Sequence, residues 1–284
     1  MRNDLEHIEA AFVGTPLAGL PIGHGPAGTI LVAGIDPRRL HEAWRAADAL
    51  VPVTGRLPLL VTDDFTGPLA MLPEPEPGPS ESRLREFTEA AASSEPWLTF
   101  YDPEAEEAVD EDNVEHYAHG LAGVDLASLA SDLALPSSSD AFERALYDRL
   151  LADPELHDQV LDSVRFQTRT DNWYTPESVL LMLLPTSDVR SSGYWVDFFG
   201  ALGTDAELSL AEVLAQWHHR WDARLVAAWG TMLQFQVGRA PAPGDEAWSA
   251  ACQLKGLGPN LDLSRWEVAT ALSAGDAWFV HNRP

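Results

Sequence analysis

Lysine is almost absent from this chain. Lys255 is the only one among eighteen basic residues, so arginine supplies nearly all the positive charge. Two sources of that bias stand side by side: the codon habit of a GC-rich genome, and a high-salt habitat, which suits acidic, lysine-poor surfaces. Cysteine is as scarce. The single Cys252 excludes an internal disulfide and any CxxC redox or zinc motif. No apolar run reaches the roughly 18 residues of a membrane-crossing helix, and the first residues do not read as a secretory signal. The expectation is a soluble, cytoplasmic protein. Walker A and G-x-S-x-G sequences are missing too, which removes the usual signs of a phosphate-binding loop and of a serine nucleophile elbow.

What is present is acid and tryptophan. The 284 residues are 45% hydrophobic with ten tryptophans, enough for a packed core in one large domain or two modest ones. The net charge is −26 and the isoelectric point about 4.4. Such a field repels nucleic-acid phosphates and anionic lipid, so neither nucleic acid nor membrane is an expected partner. It favours a basic protein partner, or serves solubility alone.

Three zones follow one another, predicting an N-terminal α/β subdomain over 1–72, a Pro/Glu linker with an acidic helical region over 73–170, and a C-terminal α+β domain over 171–284. In the first, "TILVAGI" (Thr29–Ile35) and "RLPLLVTDD" (Arg56–Asp64) read as strands. Between them "DPRRLHEAWRAADAL" (Asp36–Leu50) reads as a helix capped by Asp36 with Pro37 in its first turn. Strand, helix, strand is a βαβ-like opening. "LPEPEPGPS" (Leu72–Ser80) reads as an extended linker or exposed loop. Farther on, Asp140 is a helix cap with Glu143 three residues later, and Asp153-Pro154 starts a second helix. The third zone reads as strands Ser178–Thr186 and Gly193–Leu202, helix Ser209–Trp221, two strands turning near Gly230, helices Gly244–Gly256 and Asp262–Gly275, and a final strand Ala277–His281. The fold class expected is α+β: a mixed, mostly antiparallel sheet with flanking helices, plus an acidic helical insertion.

The densest stretch is "LAQWHHRWDARLVAAWG" (Leu214–Gly230). At about 100° per residue, Trp217, Trp221, Leu210, Leu214 and Val213 fall within about 60° of one direction and form a buried stripe. His218 lies at the stripe's edge and His219 on the far side, so the pair does not converge on one ion; a helical zinc pair wants HExxH spacing. His218 is the boundary residue expected to touch a substrate or partner. Ser209 and Glu212 are spaced as a capping box. In "YWVDFF" a strand would put Trp195 and Asp197 on one face, making Asp197 a ligand-facing or hydrogen-bonded carboxylate. "GHGPAG" (Gly23–Gly28) matches G-x-G-x-x-G literally, yet a strand follows it and Pro26 removes a donor, so it reads as a turn and no dinucleotide is expected. His116 and His119 in "EDNVEHYAHG" (Glu111–Gly120) are the weak metal candidates; a solvated acidic helix is the plainer reading. Cys252 reads as a buried, inert thiol. No metal or cofactor is expected.

"LLPTSDVRSSGYWVDFFGAL", "LAQWHHRWDARLVAAWGTMLQFQVGRAPA" and the closing "AWFVHNRP" resemble a bacterial family known as domain of unknown function 4253. The matching positions are Trp217, Trp221, Ala223, Arg239, Pro241, Trp278 and Phe279, and the opening zone around "LHEAWRAADALVPVTGRLPLLVTDD" looks similar. This chain departs from the family's pattern at Asp222, where glycine is usual, at "GLGPN" (Gly256–Asn260), where a Cys-Pro-Asp-like step is common, and at His281 and Asn282. The resemblance implies a fold and no established activity. Two functions remain as expectations. One is a non-enzymatic, partner-neutralising (immunity-like) binding protein with an acidic surface. The other is an enzyme with an acid–base pocket lined by Trp195, Asp197, His218 and His281.

Overall fold

The computed structural model describes residues 2–62, 77–100, 108–119, 121–164 and 175–283. Most of the Pro/Glu stretch, Asp63, Asp64 and Trp173 lie outside the described residues. The chain opens with α1 (Arg2–Phe12), β1 (Ile22–His24), β2 (Ile30–Val32), α2 (Leu40–Asp48), α3 (Val51–Thr54), β3 (Leu57–Val61), α4 (Glu81–Ala92) and α5 (Pro96–Thr99). The acidic middle holds β4 (Ala108–Val109), α6 (Val114–Tyr117), α7 (Leu126–Asp132), β5 (Ser137–Ser138), α8 (Ser139–Ala152) and α9 (Pro154–Val164). The last stretch holds β6 (Leu180–Leu184), α10 (Val189–Ser192), α11 (Thr204–Trp221), β7 (Ala223–Ala228), β8 (Met232–Val237), α12 (Asp245–Leu257), α13 (Arg265–Ala274) and β9 (Ala277–His281). The fold is α+β. Among the described residues, no helix is long and apolar enough to cross a membrane.

Packing divides the chain into two compact units. The first comprises residues 1–99, 173–236 and 283–284, the second 100–172 and 237–282. The sequence zones follow composition along the chain, whereas the units follow burial, so the two divisions cut at different places.

In the first unit the strands lie in the order β1-β2-β6-β3-β7-β8, mixed and mostly antiparallel. Every residue of β6 is buried, as a continuous apolar strand in mid-sheet requires. β2 and β3 both run antiparallel to β6, with Leu31 and Leu59 on either side of Met182. They are therefore parallel to each other, and the predicted strand–helix–strand crossover is present with β6 inserted between its strands. Asp36 caps the turn Pro37–Arg39 through its carboxylate to the Arg38 N–H, and α2 follows. The core here joins Ile8, Phe12, Leu17, Ile30, Trp44, Leu181, Leu183 and Trp229.

Helix α11 carries the tryptophan stripe into this unit. Trp217 stacks on Trp97 at 6.1 Å and meets Phe235 edge-on at 5.2 Å. Trp217 and Trp221 are completely buried, and burying each such side chain stabilises by roughly 3 kcal/mol. The helix begins at Thr204, a turn earlier than the Ser209/Glu212 spacing predicts. Those two residues therefore serve packing: Ser209 bonds Thr99 at 2.9 Å, and Glu212 accepts from Arg190 at 2.8 Å and from Gln216 at 3.0 Å. The predicted strand Gly193–Leu202 is also absent. Asp188 caps α10, and 3-10 turns span Gly193–Trp195 and Phe199–Ala201. Gly193 lies so close to α11 that a Cβ there would come 2.6 Å from the Ala211 Cβ. An aromatic-rich run looks like a strand by composition, but that approach fixes it as turns.

The second unit packs α8, α9, α12 and α13 together. Phe142, Leu146, Tyr147 and Leu150 of α8 are fully buried, with Trp266 and Trp278. Tyr147 stacks on Trp248 at 5.9 Å and accepts the Gly244 N–H at 3.1 Å. Asp153 caps α9 as predicted, through the Leu156 N–H. The cap of α8 is Ser138 and not Asp140, which leaves Glu143 free for another task. Where β8 ends, the Val237 N–H donates to the Asp276 carbonyl at 2.7 Å, just before β9.

Candidate functional sites

A cleft of about 270 Å³ opens in the first unit. Its walls are largely apolar: Trp44, Val51, Leu57, Leu59, Leu184 and Leu225. Its polar points are His218, Ser187, Ser192 and the Asp48–Arg224 ion pair, closed at 2.6 Å. Trp44 is fixed from behind by its Nε1–H, which donates to the Pro58 carbonyl at 3.1 Å. His218 comes from the last turn of α11, where the apolar stripe meets solvent, and its side chain is 37% exposed. Its Nδ1 is buried without a hydrogen bond, 3.5 Å from the Asp222 carboxylate. His219 is exposed.

Asp222 stands where the resemblance leads to an expectation of glycine. It caps α11 in the left-handed conformation at φ 48, its N–H reaching back to the His218 and Trp217 carbonyls. Glycine suits that conformation best and Asp is among the few residues that tolerate it. In this chain the position also brings a carboxylate, held by Arg224 at 3.2 Å, up to His218.

The four residues expected to share an acid–base pocket are not gathered there. Trp195 donates its Nε1–H to the Ala27 carbonyl at 3.0 Å and meets Tyr194 edge-on at 5.1 Å. Asp197 is exposed in the turn that replaces the predicted strand. Of these three, only His218 lines the cleft. His281 belongs to the second unit, at the end of β9, with its ring 6.1 Å from Phe279. Trp195 and Arg56 instead clamp the "GHGPAG" loop. Arg56 donates to the Gly28 carbonyl at 3.1 Å and to the Leu183 carbonyl at 3.3 Å. β2 follows that loop, which is not the strand-then-helix order of a dinucleotide site.

The second unit holds a larger, polar cavity of about 720 Å³. His116 and His119 both line it, as do Glu143, Lys255, Asp262, Arg265 and Glu267. The helix expected to hold both histidines stops at Tyr117, so His119 follows it in a turn. Among the described residues, no three His, Cys, Asp or Glu side chains are grouped to hold a metal ion.

Three charged side chains organise this cavity. Glu143, only 6% exposed, accepts the Arg265 N–H at 2.5 Å and also the Trp266 N–H. A carboxylate thus meets the positive end of α13. Burial nonetheless pushes its carboxyl above the usual range, outweighing Arg265, those two N–H groups and Lys255. Glu267 closes the capping box of α13 with Ser264, and burial raises its carboxyl as well. Lys255 donates to the Leu261 carbonyl at 2.6 Å and approaches the Pro259 carbonyl at 3.5 Å. Burial lowers its ammonium below the ordinary value, against the pull of Glu143.

Sequence reasoning passed over Lys255, yet a signal exists. Trp248, Ala251 and Lys255 are spaced i, i+3 and i+7 and share the helix face that α12 buries. The sole lysine thus stands on an apolar stripe. The segments Gly256–Asn260 and His281 meet in the second unit: the Asn260 N–H donates to the His281 carbonyl at 3.1 Å, and a Cβ on Gly258 would lie 2.6 Å from Val280. Cys252 is half-buried, where a buried thiol is expected, and burial pushes its thiol up to about 12.

Residues 180–281 match the model of a family described as a domain of unknown function (DUF4253). The match runs from the first residue of β6 to the last of β9 and contains His218, Asp222, Arg224 and Lys255. The opening zone, which the resemblance also included, lies outside it. No curated protein and no solved structure matches the chain.

Proposed function

We propose that this chain, with the DUF4253 region as its framework, is a cytoplasmic binding protein that holds a basic protein partner, and that the cleft of the first unit receives an apolar side chain of that partner. The observation that carries this reading is an apolar recess whose polar edge sets two carboxylates, Asp48 and Asp222, against the one guanidinium of Arg224 that holds both. Asp48 lines the recess and Asp222 approaches His218 at its wall, in a chain of net charge −26. Size decides between occupants. Small-molecule pockets run from about 300 to 1,000 Å³, and about 270 Å³ suits a single anchoring side chain better. Acidic surroundings speed and orient the approach of a basic protein and oppose a phosphate backbone.

The test is retention of proteins from the cells that encode the chain, over a salt series. Leu225→Glu, which puts a carboxylate into the recess, should weaken retention at least about tenfold, or about 1.4 kcal/mol. Leu98→Glu, on a side chain already 71% exposed and outside the recess, should not. Failure to retain any basic protein at low salt, or equal retention by Leu225→Glu, removes the proposal.

Acid–base catalysis is a second reading, favoured by the Asp222 carboxylate 3.5 Å from Nδ1 of the cleft-lining His218. Small ester and amide substrates, with His218→Gln as the control, test it. Absence of turnover, or turnover that survives in the variant, defeats it.

A further inference from the structure

Partner binding by the first unit makes no use of the polar cavity in the second. We propose that Lys255 is a carbonyl-condensing site, forming a reversible imine with small, uncharged, hydroxylated aldehydes that enter this cavity.

Three observations converge on the amine. Lys255 lines the cavity, and the hydrogen-bond acceptors of its Nζ are backbone carbonyls, Leu261 at 2.6 Å and Pro259 at 3.5 Å. A neutral amine serves both with its two N–H bonds and keeps its lone pair for a third direction. The titratable and charged groups around it are Glu143 from α8, Arg265 and Glu267 from α13, Asp262 from the loop before α13, and His116 and His119 from α6 and the turn after it. Burial, helped by Arg265, lowers the ammonium's proton affinity against the pull of Glu143, Asp262 and Glu267, the usual direction in which a lysine becomes reactive. The walls then select the ligand. Glu143, Glu267, Asp262, Ser139 and Ser264, all oxygen-bearing side chains, are among the lining residues, a composition that suits hydroxyl donors. Two carboxylates besides the proton-carrying Glu143, those of Asp262 and Glu267, face the single guanidinium of Arg265 in this lining, and that balance disfavours a carboxylate or phosphate ligand.

The chemistry balances without a further reactant. The Lys255 lone pair attacks the aldehyde carbon, the C=O π pair moves to oxygen, and one ammonium proton passes from nitrogen to that oxygen, giving a neutral carbinolamine. A carboxyl proton passes to the departing hydroxyl, the nitrogen's proton returns to the carboxylate, and one water leaves as the C=N bond forms. Glu143, whose burial holds its carboxyl high, is the proton carrier nearest in chemical character to the task.

The single lysine makes the test direct. The native full chain is treated with glycolaldehyde and sodium cyanoborohydride at pH 7, which traps the imine as a stable secondary amine, and the labelled peptide is identified by mass mapping. The same chain unfolded in guanidinium chloride provides the reference rate for an ordinary lysine. Lys255 in the native protein should label at least about twofold faster than in the unfolded chain, since a lower proton affinity leaves more of the amine neutral at pH 7. Glyoxylate, the anionic counterpart, should show a smaller native-to-unfolded ratio. Labelling in the native protein that is no faster than in the unfolded chain overturns the site and leaves Lys255 as a clamp on the Pro259–Leu261 loop. A glyoxylate ratio equal to or above that of glycolaldehyde overturns the assignment to uncharged aldehydes.

Discussion

Glu143 offers the sharpest test of how the second unit is held together, because two substitutions separate its charge from its hydrogen bonds. Glu143→Ala leaves the Arg265 and Trp266 N–H groups at the start of α13 without their acceptor. Each orphaned buried donor costs about 1–3 kcal/mol. The adjoining cavity admits water, which puts both at the lower end, so the expected loss is about 2–4 kcal/mol. Glu143→Gln keeps an acceptor oxygen in the same place and removes the charge. That forfeits the charge-assisted part of both bonds, but it also removes the desolvation that dominates this group and raises its carboxyl. The two effects oppose each other, and the expected loss is about 1 kcal/mol or less. Urea unfolding at constant m-value measures both variants. The pH dependence follows with its sign. The folded-state pKa of Glu143 lies above its unfolded value, so its contribution is fully present below the unfolded value and is lost as pH rises through the folded one. Wild type should therefore gain stability on acidification from pH 7 toward the carboxylate range. Glu143→Gln should gain less, with Glu267 still contributing in the same direction. Relief of the overall negative repulsion is common to both proteins and cancels in the comparison. If Gln costs as much as Ala, attraction between Glu143 and its cationic neighbours outweighs burial and the reasoning is wrong.

Other outcomes follow from single contacts. Trp217→Ala removes a completely buried ring from between Trp97 and Phe235 and should cost about 3–5 kcal/mol. His219→Ala should stay within about 0.5 kcal/mol, and equal costs in urea unfolding would refute the assignment of faces on α11. Gly28→Ala should destabilise by about 1–3 kcal/mol, because φ is +78 and the new Cβ would lie 2.9 Å from the Gly78 Cα; an unchanged midpoint would show that the loop yields. Cys252, with its thiol pushed up to about 12, should resist a disulfide reagent at pH 8 in the native state and react once guanidinium unfolds the chain. Rapid native reaction would contradict its burial.

Local patterns were legible in the sequence wherever neighbours in the chain decide the conformation. Asp36-Pro37 and Asp153-Pro154 start their turns and helices because a carboxylate cap and a fixed φ act within one turn. The apolar run of β6, the closing strand Ala277–His281 and the stripe of α11 follow from periodicity, and the stripe also placed His218 at the edge of the core. The Asp140 and Ser209 caps and the strand Gly193–Leu202 were misread for one reason. Serine, aspartate and aromatic residues serve packing as readily as local structure, and only a distant partner decides between the two uses. Gly193 answers to Ala211, Ser209 to Thr99, and Glu143 to the start of α13.

The sequence by itself determined the charge, the α+β class and the helix faces, since these depend on composition and on spacings of a few residues. The tertiary structure alone decided which charges are buried and what they face. Trp195, Asp197 and His218 read together in sequence, and only His218 reaches the cleft. Lys255 and Glu143 are 112 residues apart by number, and packing of α8, α12 and α13 brings them to one cavity. Burial is a property of packed surfaces and not of chain order, and burial is what changes the proton affinity of both groups.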